Sequence, residues 1–229
     1  MTKELRQERF KSPPGATHVY LVRHGESAPL REGEPQPLVG GHGDPPLDPV
    51  GHEQALLVAG RLARLPLSGI YVSTLQRTAQ TAAPLAEKTG IEPMVEPDLR
   101  EMFLGEWEGG IYRVRAAENH PDWQRMEREQ TWDVIPGVEK SVDFARRVGG
   151  AVGRIAARHA DQRVAVFAHG GVIGMLTAIA TGGRMFAFAA SDNASITHLV
   201  IRGDEWRLRR FNDTHHLGSD LDFADQEVV

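Results

Sequence analysis

Three short apolar runs set the limits on how this chain can fold, because each stops abruptly at a charged residue, a loop or the start of a helical pattern. Val19-Tyr20-Leu21-Val22 stops at Arg23-His24-Gly25, Gly69-Ile70-Tyr71-Val72-Ser73 runs into an alanine-rich segment, and Arg163-Val164-Ala165-Val166-Phe167-Ala168 stops at His169-Gly170-Gly171. Apolar runs of four to six residues, rich in valine and without alternation, read as strands buried on both faces. Between them the period becomes helical. After Asp48-Pro49, an N-cap with proline at the first helical position, Ala55, Leu56, Val58, Ala59, Leu62 and Leu65 form a stripe that predicts a helix over 49–64. A helix is expected over 74–88 with Gly90 as its stop, another over 141–159 from Val142, Ala145, Val148, Ala151, Val152 and Ile155, and an apolar one over 172–181. Residues 194–201 and 205–211 read as a hairpin joined at Gly203-Asp204, and 92–95 as an edge strand because of Pro93.

Strands alternating with helices imply an α/β fold, a three-layer sandwich whose mostly parallel central sheet is flanked by helices on both faces, the closing hairpin adding antiparallel character. Such sheets bind ligands outside the carboxyl ends of their strands. His24, Arg77 and His169 all lie just past expected strand ends, so one edge of the sheet can present all three. Residues 1–16 are expected to be a flexible arm, 17–217 a single domain with a cap or insert segment at about 103–137, and 218–229 an acidic tail. The Gly- and Pro-rich stretch Ser27–Leu47 is too long for a mere connection and is expected to cover a site. Residues 98–110 read as a loop carrying Glu101, 111–130 as one or two short helices, and 132–137 as a break.

Composition removes several alternatives. With 41% hydrophobic and 25% charged residues the chain can bury a substantial core, and its net charge of -5 offers no basic footprint for nucleic acid. Cysteine is absent, which excludes disulfides, thiolate metal sites and cysteine nucleophiles and makes the cytoplasm the expected location. No secretory apolar core and no run of about 20 apolar residues is present, so no membrane partner is expected. His42, His52, His215 and His216 lack an H-E-x-x-H pattern or a carboxylate cluster, and neither a metal nor a cofactor is proposed.

An imidazole at a strand end serves as nucleophile, base or ligand. With arginine before it and glycine after it, a phosphoryl group is its natural guest, since guanidinium forks match phosphate oxygens. Gly25, Gly170 and Gly171 fit either turns or close backbone approach to phosphate, and His42 lies on the long loop where it can touch substrate. The segments LVRHGES at 21–27, STLQRTAQT at 73–81, Glu101 within LREMFLGEWEGG, and AHGG at 168–171 resemble the four signature segments of the histidine phosphatase superfamily, the phosphoglycerate mutase-like proteins. The resemblance covers about Thr17 to Leu217. It implies that His24 attacks phosphorus and becomes a phosphohistidine, that Arg23, Arg77 and His169 bind the phosphoryl oxygens, and that Glu101 protonates the leaving oxygen. Glu106 and Glu108, on the same loop, compete for that last role.

The chain also departs from the family pattern, since Leu30 stands where many relatives carry an asparagine after the RHGE segment. The Leu104-Gly105-Glu106-Trp107-Glu108-Gly109 stretch looks more like the phosphatase branch than the mutases, whose basic cluster for a carboxylate finds no match here. The expected activity is therefore hydrolysis of a small-molecule phosphomonoester, with an acidic optimum. A mutase-type phosphotransfer and a non-catalytic phosphate-binding module are the alternatives, and a homodimer is compatible with all three.

Overall fold

The computed structural model describes residues 7–31, 34 and 36–218. In chain order they form β1 (Thr17–Arg23), a small hairpin of β2 (Leu38–Val39) and β3 (His42–Gly43), α1 (Pro49–Leu62), β4 (Gly69–Val72), α2 (Gln76–Thr89) and β5 (Pro93–Val95). Then come α3 (Ile111–Ala117), α4 (Pro121–Glu129), α5 (Ser141–Arg158), β6 (Arg163–Ala168), α6 (Gly170–Thr181), β7 (Ile196–Arg202) and β8 (Glu205–Asp213). The main sheet has the order β5-β4-β6-β1-β7-β8. Its first four strands are mutually parallel, and β7 and β8 continue it in antiparallel sense.

Burial on both faces explains why the strands show no alternation. Val19 and Leu21 of β1, with Val164 and Val166 of β6, pack against Phe144, Val148, Val152 and Ile155 of α5 and Val172 and Leu176 of α6. Val22, Ile70, Val72, Ala165 and Phe167 point the other way, onto Val58, Ala59 and Leu62 of α1 and Ala82 and Leu85 of α2. Burying one such side chain fully is worth ~1.5–3 kcal/mol, so the two clusters fix the three-layer arrangement.

The helix ends follow the sequence signals. The Asp48 carboxylate accepts from the Val50 N–H at 2.8 Å, and Gly90 closes α2 in the left-handed region with φ of 70°. α6 begins at Gly170, two residues before the expected start, because His169 occupies the N-cap and both following glycines are helical. Residues 97–99 and 105–107 of the expected loop are single 3-10 turns, and 111–130 resolves into α3 and α4.

Both margins of the sheet are occupied by strands unsuited to further pairing. Pro93 opens β5, while β8 exposes Arg207, Arg209 and Arg210. Of the arm expected over 1–16, residues 1–6 lie outside the described residues. Nearer the sheet, the Arg209 guanidinium sits 3.7 Å over the Phe10 ring, the Gly15 N–H donates to Asp161 Oδ1 at 2.6 Å, and Ala16 is buried. The tail beyond Gly218 also lies outside the described residues. No helix among the described residues is long and apolar enough to cross a membrane.

Candidate active site

The strand order β4-β6-β1 places the residues that follow these three strands side by side. His24 leaves the end of β1, where its N–H donates to the Ala168 carbonyl at 3.0 Å, and its ring lies 5.3 Å from that of His169. Arg23 is the last residue of β1, and Arg77 occupies the first turn of α2, just beyond β4. All four side chains are largely enclosed by the fold.

His24 is held in one tautomer. Its Nδ1 lies 2.7 Å from the Gly25 carbonyl oxygen, which can only accept, so Nδ1 carries the proton and Nε2 keeps its lone pair. Burial, followed by the positive charges of Arg77 and Arg23, lowers its pKa well below the usual histidine value. The ring is therefore neutral at physiological pH.

His169 is fully buried, and its Nε2 lies 2.9 Å from Ser73 Oγ. That hydroxyl also receives the Leu75 N–H at 3.1 Å and neighbours Thr78 Oγ1 at 3.1 Å. His169 Nδ1 has no protein partner among the described residues. With the Ser73 hydroxyl donating to Nε2, Nδ1–H is a donor available to a bound anion. Burial and Arg77 push the pKa of this histidine down as well.

The arginines are committed in part. Arg23 donates from its terminal nitrogen to the Ser191 carbonyl, while its buried Nε has no protein partner among the described residues. Arg77 donates to the Gly43 carbonyl at 3.0 Å and stands 3.7 Å from Asp44 Oδ1. Burial lowers its pKa to about 10, so both guanidinium groups stay charged at neutral pH.

Glu101 closes the other side. Its Oε2 accepts from Gly171 N–H in the first turn of α6 at 2.9 Å, and its Oε1 from Met102 N–H at 2.9 Å. Burial raises its pKa, opposed by these hydrogen bonds and by Arg77 and Arg23. A neutral base, two cations and an acid that holds its proton above the usual carboxylate range together suit phosphoryl transfer. Glu108 is spent elsewhere, its two oxygens accepting from Gly43 N–H at 2.7 Å and Leu104 N–H at 2.9 Å, and Glu106 is exposed.

The remaining candidates separate. Gly170 packs beside Arg23, a Cβ there standing 3.6 Å from its Nε. A Cβ on Gly171 would stand 2.5 Å from Glu101 Oε1 and 2.7 Å from the Trp132 ring, so that glycine makes room for the acid. The Gly25 N–H is taken by Thr81 Oγ1 at 3.0 Å, and a Cβ at Gly25 would fall 2.4 Å from the Gly51 carbonyl, which gives Gly25 a packing role in place of an anion contact. His42 bonds Gly40 at 3.3 Å and packs on Phe103 with ring centroids 5.3 Å apart. Leu30 fills space at Gly110, where a Cβ would meet its methyl at 2.8 Å.

Several residues escaped the sequence reading. Ser73, Thr78 and Thr81 were legible only as parts of a motif. Arg113, on α3, donates to the Ala28 carbonyl at 3.0 Å and to Ser27 Oγ at 2.9 Å, and adds positive charge near His24. Asn193 donates to the His24 carbonyl at 2.9 Å. Neither carries a local signal, because each acts across a long sequence separation.

Comparison with known proteins agrees with this geometry. Residues 19–214 match the family model described as histidine phosphatase superfamily (branch 1). Phosphoglycerate mutase-like protein 4 of Arabidopsis thaliana is 32% identical over 218 residues, covering 93% of each chain. The metal-independent phosphoserine phosphatase of the same plant is 31% identical, over 93% of this chain and 88% of the plant protein. Among solved structures, mycobacterial glucosyl-3-phosphoglycerate phosphatase superposes with a TM-score of 0.71 at 29% identity, covering 87% of this chain and 100% of that one.

Proposed function

The chain belongs to branch 1 of the histidine phosphatase superfamily and is a phosphomonoester hydrolase of that type, and on that premise we propose how its own residues divide the work. His24 Nε2 attacks phosphorus, the bond from phosphorus to the ester oxygen breaks, and Glu101 gives its proton to the departing oxygen. Water then attacks the phosphohistidine, Glu101 takes up the proton, and cleavage of the P–N bond releases inorganic phosphate. Arg23, Arg77, His169 Nδ1–H and the backbone at Gly170 face the phosphoryl oxygens throughout.

The observation that carries this reading is the Nδ1 bond from His24 to the Gly25 carbonyl, which leaves Nε2 as the free nucleophile. The charges fit the same roles. Fixed guanidinium groups stabilise the oxygens as charge spreads over them, and removing one such donor typically costs ~10²–10³ in rate.

The test is a phosphate-release screen over phosphomonoesters with His24→Ala as the blank, combined with a search for acid-labile phosphate on the wild-type protein. The expected result is release by wild type, loss in the variant and a phosphorylated His24 in quenched samples. Equal release by His24→Ala sinks the covalent route. Bisphosphate-primed isomerisation of a phosphoglycerate without phosphate release replaces hydrolysis by phosphotransfer.

A further inference from the structure

Glu101 has to keep a proton among cations. The guanidinium groups of Arg77 on α2 and Arg23 on β1, with the N–H groups of Gly171 and Met102, favour its charged form, and burial alone favours the acid. His24 and His169 are neutral, and the Tyr112 hydroxyl on α3 is kept protonated by burial, its pKa pushed up to about 12. Arg147 of α5 reaches only the Glu101 backbone carbonyl, while its charge pairs with Glu139 at 2.6 Å. Beyond these, Arg100 and Arg113 add positive charge near the site, and Asp44 and Glu108 act on Arg77. Glu101 is itself partly exposed, as a donor to substrate must be. What covers its remaining sides therefore decides how firmly the proton is held.

One large apolar group stands against it. A Cβ on Gly171 would lie 2.5 Å from Glu101 Oε1 and 2.7 and 2.9 Å from Cη2 and Cζ3 of Trp132, so the carboxyl oxygen and the edge of the indole share the space above one glycine. Trp132 is 7% exposed, and its ring meets that of Phe186 with centroids 5.4 Å apart. Met102 and Met126 belong to the same apolar cluster, with Tyr112 packed on it. The ring is also held in place. It sits on the 3-10 turn Trp132–Val134, where Thr131 Oγ1 accepts from Asp133 N–H at 3.1 Å. Asp133 Oδ1 accepts from both the N–H and the hydroxyl of Ser141 at 3.0 Å, which ties the turn to the start of α5.

We propose that Trp132 is a positioning residue for the acid, its indole shielding the Glu101 carboxyl from water on the Gly171 side and so keeping it a proton donor. The proposal rests on the role given to Glu101 above and deepens it. The indole atoms that meet Gly171 are ring carbons, which offer no hydrogen bond, so the contact removes hydration and returns nothing to the charged form. Gly171 is what lets the two approach, since any side chain there would strike both.

The test compares Trp132→Ala and Trp132→Phe with wild type through the pH dependence of kcat/KM on an alkyl phosphate and on 4-nitrophenyl phosphate, whose leaving group needs no proton. In Trp132→Ala the alkaline limb on the alkyl ester is expected about one pH unit lower, so that above it kcat/KM is about tenfold below wild type. Trp132→Phe, which keeps an apolar ring in place, should hold the limb within about 0.3 pH unit of wild type. The loss on 4-nitrophenyl phosphate should be the smaller one. A limb that stays put in Trp132→Ala, or moves equally in Trp132→Phe, overturns the proposal. Trp132→Gln replaces Trp132→Ala if that variant does not fold, with the same expectation and the same overturning results. A second readout separates the proposal from the acid role itself. The infrared C=O band of the protonated carboxyl, identified by its loss in Glu101→Gln, is titrated in wild type and in Trp132→Ala. A midpoint about one pH unit lower in the variant supports the shielding, and an unchanged midpoint overturns it. If the band behaves as expected while Glu101→Gln keeps the alkaline limb of turnover, the acid role falls and the shielding by Trp132 stands.

Discussion

His24 and Glu101 need opposite protonation states, and their surroundings supply them by the same means. Burial penalises the charged form of each, which lowers the histidine and raises the carboxylic acid. The working form has His24 neutral, which requires a pH above its depressed pKa, and Glu101 protonated, which requires a pH below its raised one. Activity is thus expected to fall as pH rises through the Glu101 pKa. Glu101→Gln should abolish that alkaline limb and reduce kcat by ~10²–10⁴ on an alkyl phosphate. With 4-nitrophenyl phosphate, whose phenolate leaves without a proton, the loss should be far smaller. Steady-state profiles on both esters check this, and equal losses on the two would remove Glu101 from the acid role. At this scale the sequence was informative for side chains whose chemistry is scarce. His24, Arg77, Glu101 and His169 stand out as reactive groups at element ends. Ser73 and Arg113 do not, since a serine orienting an imidazole 96 residues away and an arginine holding a loop 85 residues away look like ordinary polar residues.

The first turn of α1 presses directly on the loop that carries the nucleophile. A Cβ on Gly51 would stand 2.1 Å from the Glu26 carbonyl oxygen and 2.9 Å from the Glu26 nitrogen, both backbone atoms that cannot swing aside. Asp48 N–H and the Gln54 side chain bond the same residue at 3.0 and 2.8 Å, so helix and loop move as one piece. Gly51→Ala is therefore expected to destabilise the protein by about 1–3 kcal/mol and to lower kcat by displacing His24. Gly60→Ala, on the same helix with nothing within 4 Å of the new methyl, should instead stabilise by about 0.5–1 kcal/mol. Urea midpoints and turnover of the two variants make the comparison, and similar behaviour would contradict the close contact. The helix itself was legible from Asp48-Pro49 and its apolar stripe. Its glycine contact was not, because periodicity describes which face is buried and says nothing of how near the opposing backbone comes. The β2–β3 hairpin escaped for a related reason: two-residue strands have no period, and this pair is held by the Glu108 carboxylate at Gly43.

For the molecule as a whole, His18, His24, His42, His169, His198 and His216 all have pKa values lowered by burial, His198 to about 4. Below about pH 6.5 the unfolded chain binds protons that these folded residues refuse. Stability is thus complete above that pH and is lost as pH falls from it towards the folded values. The buried His24 and His169 each contribute up to about 1.4 kcal/mol per pH unit while they stay neutral, the partly exposed histidines contribute less because solvent screens them, and the raised Glu101 offsets a fraction. The urea midpoint should accordingly drop between pH 7.5 and 5.5, and a constant or rising midpoint would contradict the buried neutral state. The three-layer architecture with its mostly parallel sheet follows from three apolar runs and one hairpin signal, whereas the strand order and the contacts of Arg113 with Ser27 and of Trp132 with Gly171 depend on long-range packing that no local pattern encodes. The margins of that sheet have a consequence for the chain in company. A proline at one border and a row of guanidinium groups at the other deny a neighbouring copy both the backbone partners and the neutral surface that strand addition needs. Crowded or refolding molecules are thereby discouraged from growing into ordered aggregates through a sheet whose interior strands are among the most apolar segments of the chain.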